Sequence, residues 1–377
     1  MSELVEKISY LEKSGLTPGE TIKRTMAETG KEAIGCFPIY TPEEIVYAAG
    51  YLPVGMWGGQ TEIKYADKYL QGFCCSIMRA NIELGIKGTY DFLKAVILPT
   101  FCDTLKCVCE NWKVAVPQVP IIPMVYPQNR LHDFGFDYLV DEFTRVRDQI
   151  SALSGVEIPD KSIADALKIY EDYRATMREF VETAKDYPLT INARRRHLII
   201  KASYFMDKKA YTEAIAEIVV MLKKMSPEKF QGVRVVLTGL IGEPNILLDA
   251  FVQNGICVVA DDLAQESRQF RTPAKTGTNV WAKMAFRTID QKGCAFLFED
   301  QKTRGQLLIE KVKESGADAI IVIMMKFCDP EEFDYPIYKA EIEKAQIPML
   351  YLEIEQQMDS AEQLRTRIQS FVELLKL

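Results

Sequence analysis

A chain of 377 residues, 48% hydrophobic and 26% charged, has the make-up of a soluble globular protein and the length for two or three domains. Its formal net charge of −7 leaves no surplus of lysine and arginine to neutralise phosphates, which argues against nucleic-acid binding. The longest apolar run, Ala319 to Met325, is far short of the roughly 18 residues a membrane helix needs, and the charged N-terminus has no signal-peptide core, so no membrane association and a cytoplasmic location are expected.

In chain order, residues 1–30 read as one or two polar helices, with Thr17-Pro18-Gly19-Glu20 as a cap and start. Strand-like runs then alternate with helical stretches. Ala33–Phe37 is a short strand; Thr41 suits an N-cap and Pro42 the first helical position, and Gly50 closes the helix Pro42–Ala49. The strand Leu52–Trp57, a helix from about Cys75 to Ile86, the strand Ala95–Leu98, the helix Thr104–Trp112 and the strand Ile121–Val125 complete a parallel α/β lobe.

From Leu131 to about Met225 the strand signals stop, and helical periodicity runs through Asp141–Leu153, Lys161–Lys185, Ala193–Met206 and Tyr211–Lys224. The α/β pattern returns with the strand Val233–Thr238, the helix Ile246–Gln253 closed by Gly255, and the strand Ile256–Ala260. The helix Leu307–Ser315, the strand Ala319–Met325, the helix Glu331–Ala345, the strand Met349–Ile354 and the helix Ala361–Leu375 follow. Both α/β stretches repeat one order: strand, loop with Gly and Pro, amphipathic helix, Gly, strand. The expected organisation is an N-terminal helical segment (1–30), a first lobe (31–130), a helical connector (131–231) and a second lobe (232–377). Both lobes would be flavodoxin- or Rossmann-like parallel sheets, with a ligand in the crevice between them.

Nine cysteines but only two histidines, His132 and His197, are present. A reduced compartment makes disulfides improbable, and so few imidazoles nearly exclude a catalytic triad or an imidazole-built metal site. Thiolate ligation remains, of zinc or of iron–sulfur. The tripeptide Phe-Cys-Asp occurs twice, at 101–103 and 327–329, each time directly after a buried-strand pattern and before a helix. Cys102 and Cys328 therefore fall near helix N-termini, where free amides favour thiolate, with Asp103 and Asp329 as plausible caps. A third donor is expected from Cys74 or Cys75, which also precede a helix. Cys107 and Cys109 lie about 200° apart on one helix and read as core or surface. Cys257 lies inside a strand and Cys294 beside one, as small buried residues; Cys36 ends a strand and could stand behind the donors. No C-x₂-C pair exists for a zinc knuckle. Three separated thiolates from two lobes describe an interdomain iron–sulfur cluster, with a fourth iron position open or capped by a non-cysteine ligand.

The segments Ala33–Tyr40, Gly55–Gly59, Cys75-Ser76-Ile77-Met78, Phe101–Leu105, Pro127–Arg130, Asp261–Arg268 and Met324–Glu332 resemble the 2-hydroxyacyl-CoA dehydratase family, which is related to the benzoyl-CoA reductase subunits. The resemblance runs nearly end to end and is nearest to the β-type subunit. It implies a 4Fe-4S cluster held by Cys75, Cys102 and Cys328, and it selects Cys75 over Cys74 because the family's cysteine precedes Ser-Ile-Met.

The family's reaction removes water from an (R)-2-hydroxyacyl-CoA to give the (E)-2-enoyl-CoA. The hydrogen lost is barely acidic, and the family overcomes this with one low-potential electron that converts the thioester carbonyl to a ketyl radical. The resemblance thus implies three partners: a homologous α subunit, an ATP-dependent iron–sulfur activator protein, and an acyl-CoA substrate bound mainly by the α subunit. This chain's cluster would relay the electron. Two alternatives are a homodimeric member with a larger cluster acting as an ATP-coupled reductase, and a structural subunit with a vestigial site. Glu266 and Arg268 lie in a specific family string, and a salt-bridged supporting loop is as good a reading of them as a functional one.

Overall fold

The computed structural model describes residues 2–274, 277–360 and 362–376. Helices α1 (Ser2–Leu16) and α2 (Pro18–Thr29) lead into β1 (Ala33–Cys36), α3 (Glu43–Ala48), β2 (Leu52–Gly55), α4 (Ser76–Ile86), β3 (Leu93–Pro99), α5 (Asp103–Ala115) and β4 (Ile121–Met124). Four helices follow: α6 (Asp133–Ser154), α7 (Asp160–Ala184), α8 (Ala193–Ala202) and α9 (Lys208–Lys223). The second half comprises β5 (Val233–Gly239), α10 (Asn245–Gln253), β6 (Ile256–Leu263), α11 (Ser267–Phe270), α12 (Val280–Ile289), α13 (Arg304–Ser315), β7 (Ala319–Met325), α14 (Asp329–Lys344), β8 (Met349–Ile354) and α15 (Glu362–Leu374).

The strands form two four-stranded sheets in the orders β2-β1-β3-β4 and β6-β5-β7-β8. All pairings are parallel. The two orders are the same topology, so the α/β lobes are duplicates in plan, and β3 is the counterpart of β7. Every residue of β7 is buried, as expected of a parallel strand covered on both faces. In each sheet the chain reverses its direction of winding beside this strand, between β1 and β3 and between β5 and β7. Ligands of open α/β sheets bind beyond the strand ends at such a switch point. One apolar cluster runs through both lobes, from Ile34 and Trp112 in the first to Leu237 and Ile323 in the second. A separate cluster packs α1 against α7, α8 and α9.

Three local expectations differ from the structure. Pro42, not Thr41, occupies the N-cap of α3, because the Thr41 hydroxyl donates instead to the Phe37 carbonyl (2.6 Å). Helix α6 starts at Asp133, ahead of the periodic stretch from Asp141. Helix α12 was not foreseen; Asn279 caps it by accepting from the Ala282 amide (2.9 Å). Ala361, the expected start of the last helix, lies outside the described residues.

The sheet core yields a first prediction. Ile321 has no exposure at the centre of β7, and Ile321→Ala should lower stability by about 2–5 kcal/mol in urea unfolding. A loss under about 0.5 kcal/mol, the range of ordinary surface changes, would contradict this packing.

Candidate metal centre

Cys75, Cys102 and Cys328 share one local design. Each is the N-cap of a helix: α4, α5 and α14 respectively. Asp103 and Asp329, expected as caps, are instead the first helical residues. A cap side chain can bend back over the first turn to meet an amide there. Cys102 does so, with its Sγ accepting from the Leu105 amide at 3.5 Å. Cys75 and Cys328 make no such side-chain cap bond, although the nearby Met78 and Glu331 amides offset part of the rise that burial imposes on their thiols.

The three residues line one cleft. Cys75 and Cys102 come from the first lobe and Cys328 from the second. Most of the wall is apolar, including Pro38, Ile39, Trp57, Leu240 and Phe296. Burial pushes the Cys75 thiol up to about 12, with the nearby Cys102 adding to the rise. Cys328 is driven well above the ordinary thiol range by burial, then by the Glu331 carboxylate, then by Cys75 and Cys102. Burial also raises Cys102, the most open of the three.

Three sulfurs that resist ionisation by burial and by mutual repulsion form a donor set that a buried cationic centre would relieve. Among the described residues, no three His, Cys, Asp or Glu side chains converge on a point as a single metal ion requires. The three cysteines are brought together as lining of one cleft.

A family model described as 2-hydroxyglutaryl-CoA dehydratase, D-component, matches residues 38–375. The chain belongs to this family. It is 43% identical over 377 residues to lactoyl-CoA dehydratase subunit beta of Anaerotignum propionicum, covering 100% of both chains. It is 40% identical over 358 residues to the (R)-phenyllactyl-CoA dehydratase beta subunit of Clostridium sporogenes, covering 95% of this chain and 96% of that one. With (R)-2-hydroxyglutaryl-CoA dehydratase, subunit beta, of Acidaminococcus fermentans, identity is 36% over 382 residues and 100% of both chains. Among the described residues no helix is long and apolar enough to cross a membrane.

In this dehydratase-family chain the remaining cysteines stand apart from the cleft lining. Cys36 is buried, but its charged neighbours are Glu43 and Lys208. Cys74 is buried beside Cys75, its sulfur 4.0 Å from Gln71 Oε1. Cys107 is exposed and Cys109 buried on α5, while Cys257 lies within β6. Cys294 is in a loop after α12, not beside a strand, and its sulfur lies 3.9 Å from Arg268 Nη1.

Glu266 and Arg268 belong to a buried ion network, so their supporting role is the one the geometry displays. Arg268 donates to Asp262 (2.9 and 3.1 Å) and to Glu331 Oε1 (2.8 Å). Arg304 donates to Glu331 Oε2 (2.7 Å) and Asp262 Oδ2 (3.0 Å). Glu331 sits in the first turn of α14, three residues after Cys328, so both arginines fix the helix end that carries that cysteine. Glu266 pairs with Arg196 and with His197 Nδ1. Arg304 and Asp334 were missed in the sequence; each is one charge in an ordinary amphipathic helix, and only the fold brings them together.

The thiol environment sets a pH dependence. The metal-free folded chain holds the Cys75 proton up to about 12, whereas an unfolded thiol loses it near about 8.5. This contribution to stability is present below the unfolded value and is lost as pH rises through the folded one. The urea midpoint of the metal-free chain should therefore fall more steeply above about pH 8.5 than that of Cys75→Ala. Equal slopes would contradict the assigned burial of this thiol.

Proposed function

We propose that this chain is the beta subunit of an ATP-activated (R)-2-hydroxyacyl-CoA dehydratase and holds a 4Fe-4S cluster on Cys75, Cys102 and Cys328. One observation carries the reading: three helix N-caps from two lobes present cysteine to one apolar cleft. Its relatives' names support the subunit assignment, since all three compared above are beta subunits of 2-hydroxyacyl-CoA dehydratases.

When bound, the cluster supplies one-electron storage and relay. The chain's own residues prepare the site for it. Helix N-termini stabilise the thiolates that burial disfavours. Trp57, Leu240 and Phe296 keep water from the sulfurs, and a wall with few hydrogen-bond donors holds the reduction potential down. Arg268 and Arg304, through Glu331, hold the start of α14 and so Cys328 itself.

The same reading assigns substrate binding to a homologous alpha subunit and electron delivery to an ATP-dependent activator protein. No general base for the thioester's β-hydrogen is assigned to this chain.

The test is anaerobic co-purification with the alpha subunit, followed by assay with the activator on lactoyl, phenyllactyl, 2-hydroxyglutaryl and 2-hydroxyisocaproyl thioesters. The expected result is 2-enoyl-CoA from at least one of them. Cys328→Ser should abolish or alter the cluster signal of this chain and cut the turnover by at least about tenfold. A chain that purifies without iron, or a Cys328→Ser variant with an unchanged cluster spectrum, would overturn the assignment.

A further inference from the structure

Gln356 lies in the turn after β8 and is 1% exposed. Its side chain uses both ends of the amide. Nε2 donates to the Trp57 carbonyl and to Glu243 Oε2, each at 2.8 Å, and Oε1 accepts from the Gly59 amide at 3.2 Å. Its backbone amide donates to Ser76 Oγ at 3.0 Å. Ser76 Oγ in turn donates to Met325 Sδ at 3.0 Å.

These bonds cross between the lobes next to the cysteine cleft, which Trp57 lines and Cys75, the neighbour of Ser76, enters. Trp57, Gly59 and Ser76 belong to the first lobe; Glu243, Met325 and Gln356 belong to the second. Ser76 follows Cys75 at the start of α4, and Met325 ends β7 three residues before Cys328. The approach is also sterically reserved. Gly58 has φ +73, and a Cβ there would stand 2.4 Å from Gln356 Oε1.

We infer that Gln356 is a positioning residue that locks the two lobes together and thereby sets the separation of Cys75 from Cys328. This rests on the reading above that those cysteines share one bound group. Gln356 does not line the cleft, so it acts through the backbone that carries the cysteines. An amide is the side chain that fits, because the site offers one donor (the Gly59 amide) and two acceptors (the Trp57 carbonyl and Glu243). Losing it leaves the Trp57 carbonyl and the Gly59 amide without this partner, while Glu243 keeps Lys201, which opens the contact locally.

Two substitutions in the full chain separate a lock from a space-filler. Gln356→Met keeps length without hydrogen bonds. Gln356→Glu keeps shape but sets a carboxylate against the Trp57 carbonyl and the Glu243 carboxylate. In the metal-free chain, hydrogen exchange at the Gly59 amide should accelerate by about tenfold or more in both variants, while β3 and β7 amides stay protected. In chains reconstituted with iron and sulfide, iron loss to a chelator should be about tenfold faster for Met and faster again for Glu, with a changed electron paramagnetic resonance spectrum.

Exchange and chelator rates within about twofold of wild type in both variants would overturn the lock; so would Glu behaving as wild type while Met does not. If the wild type takes up no iron, the cluster reading fails, and the exchange comparison still decides whether Gln356 joins the lobes. Should both variants fail to fold, Ser76→Ala cuts the same chain at its next link. It should raise exchange at the Gln356 amide by severalfold, and an unchanged rate there would overturn the lock.

Discussion

The arrangement depends on two sheets bringing cysteine-bearing helix ends to one cleft. Neither lobe contains the donor set. The first supplies Cys75 and Cys102 from the loops entering α4 and α5, and the second supplies Cys328 from the loop entering α14. The interlobe packing must therefore be as well defined as the lobes themselves. An apolar core continuous through both lobes gives that packing its free energy, and buried hydrogen bonds around Gln356 and Ser76 give it direction.

Burial is what makes the site chemically unusual, and it acts in two opposed ways. An apolar cleft penalises isolated thiolates, as the raised Cys75 and Cys328 thiols record, yet on the proposed reading the same cleft would limit hydrogen bonding to the cluster and favour a low potential. Helix N-termini oppose that penalty, and at Cys102 the Leu105 amide donates to the sulfur. Behind them, Arg268, Arg304, Asp262 and Glu331 form a compact ion network in which every charge has a partner. Such a network contributes little net stability against an apolar replacement, but removing one member leaves a buried charge exposed to the full desolvation penalty. Its benefit here is geometric, because Glu331 belongs to the helix turn that carries Cys328.

Much of the sheet architecture was legible because parallel strands buried on both faces read as short apolar runs, as β7 does, and because Gly255 and similar residues punctuate them. The doubled Phe-Cys-Asp marked equivalent positions after β3 and β7, and the common topology of the two sheets explains why. Local chemistry was harder to read. Asp is ordinarily the better cap, so the sequence favoured Asp103 and Asp329; the backbone geometry gave the cap to cysteine. Cys294 was misplaced beside a strand because the loop holding it is fixed by tertiary partners, among them Arg130, Arg271 and Glu299. Gln356 carried no signal at all, since a glutamine after a strand is ordinary until the other lobe is placed against it. Choosing Cys75 over Cys74 needed the family resemblance; of the two, Cys75 lines the cleft.

The central claim is that three thiolates from two lobes hold one four-iron group and that no fourth cysteine joins them. Mössbauer spectroscopy of the anaerobically purified chain enriched in ⁵⁷Fe tests this most directly. The account predicts about four irons per chain in a 4Fe-4S spectrum, with one iron distinct from the other three because it lacks a cysteine ligand. A spectrum of four equivalent cysteine-bound irons, a two-iron centre, or no bound iron would contradict it.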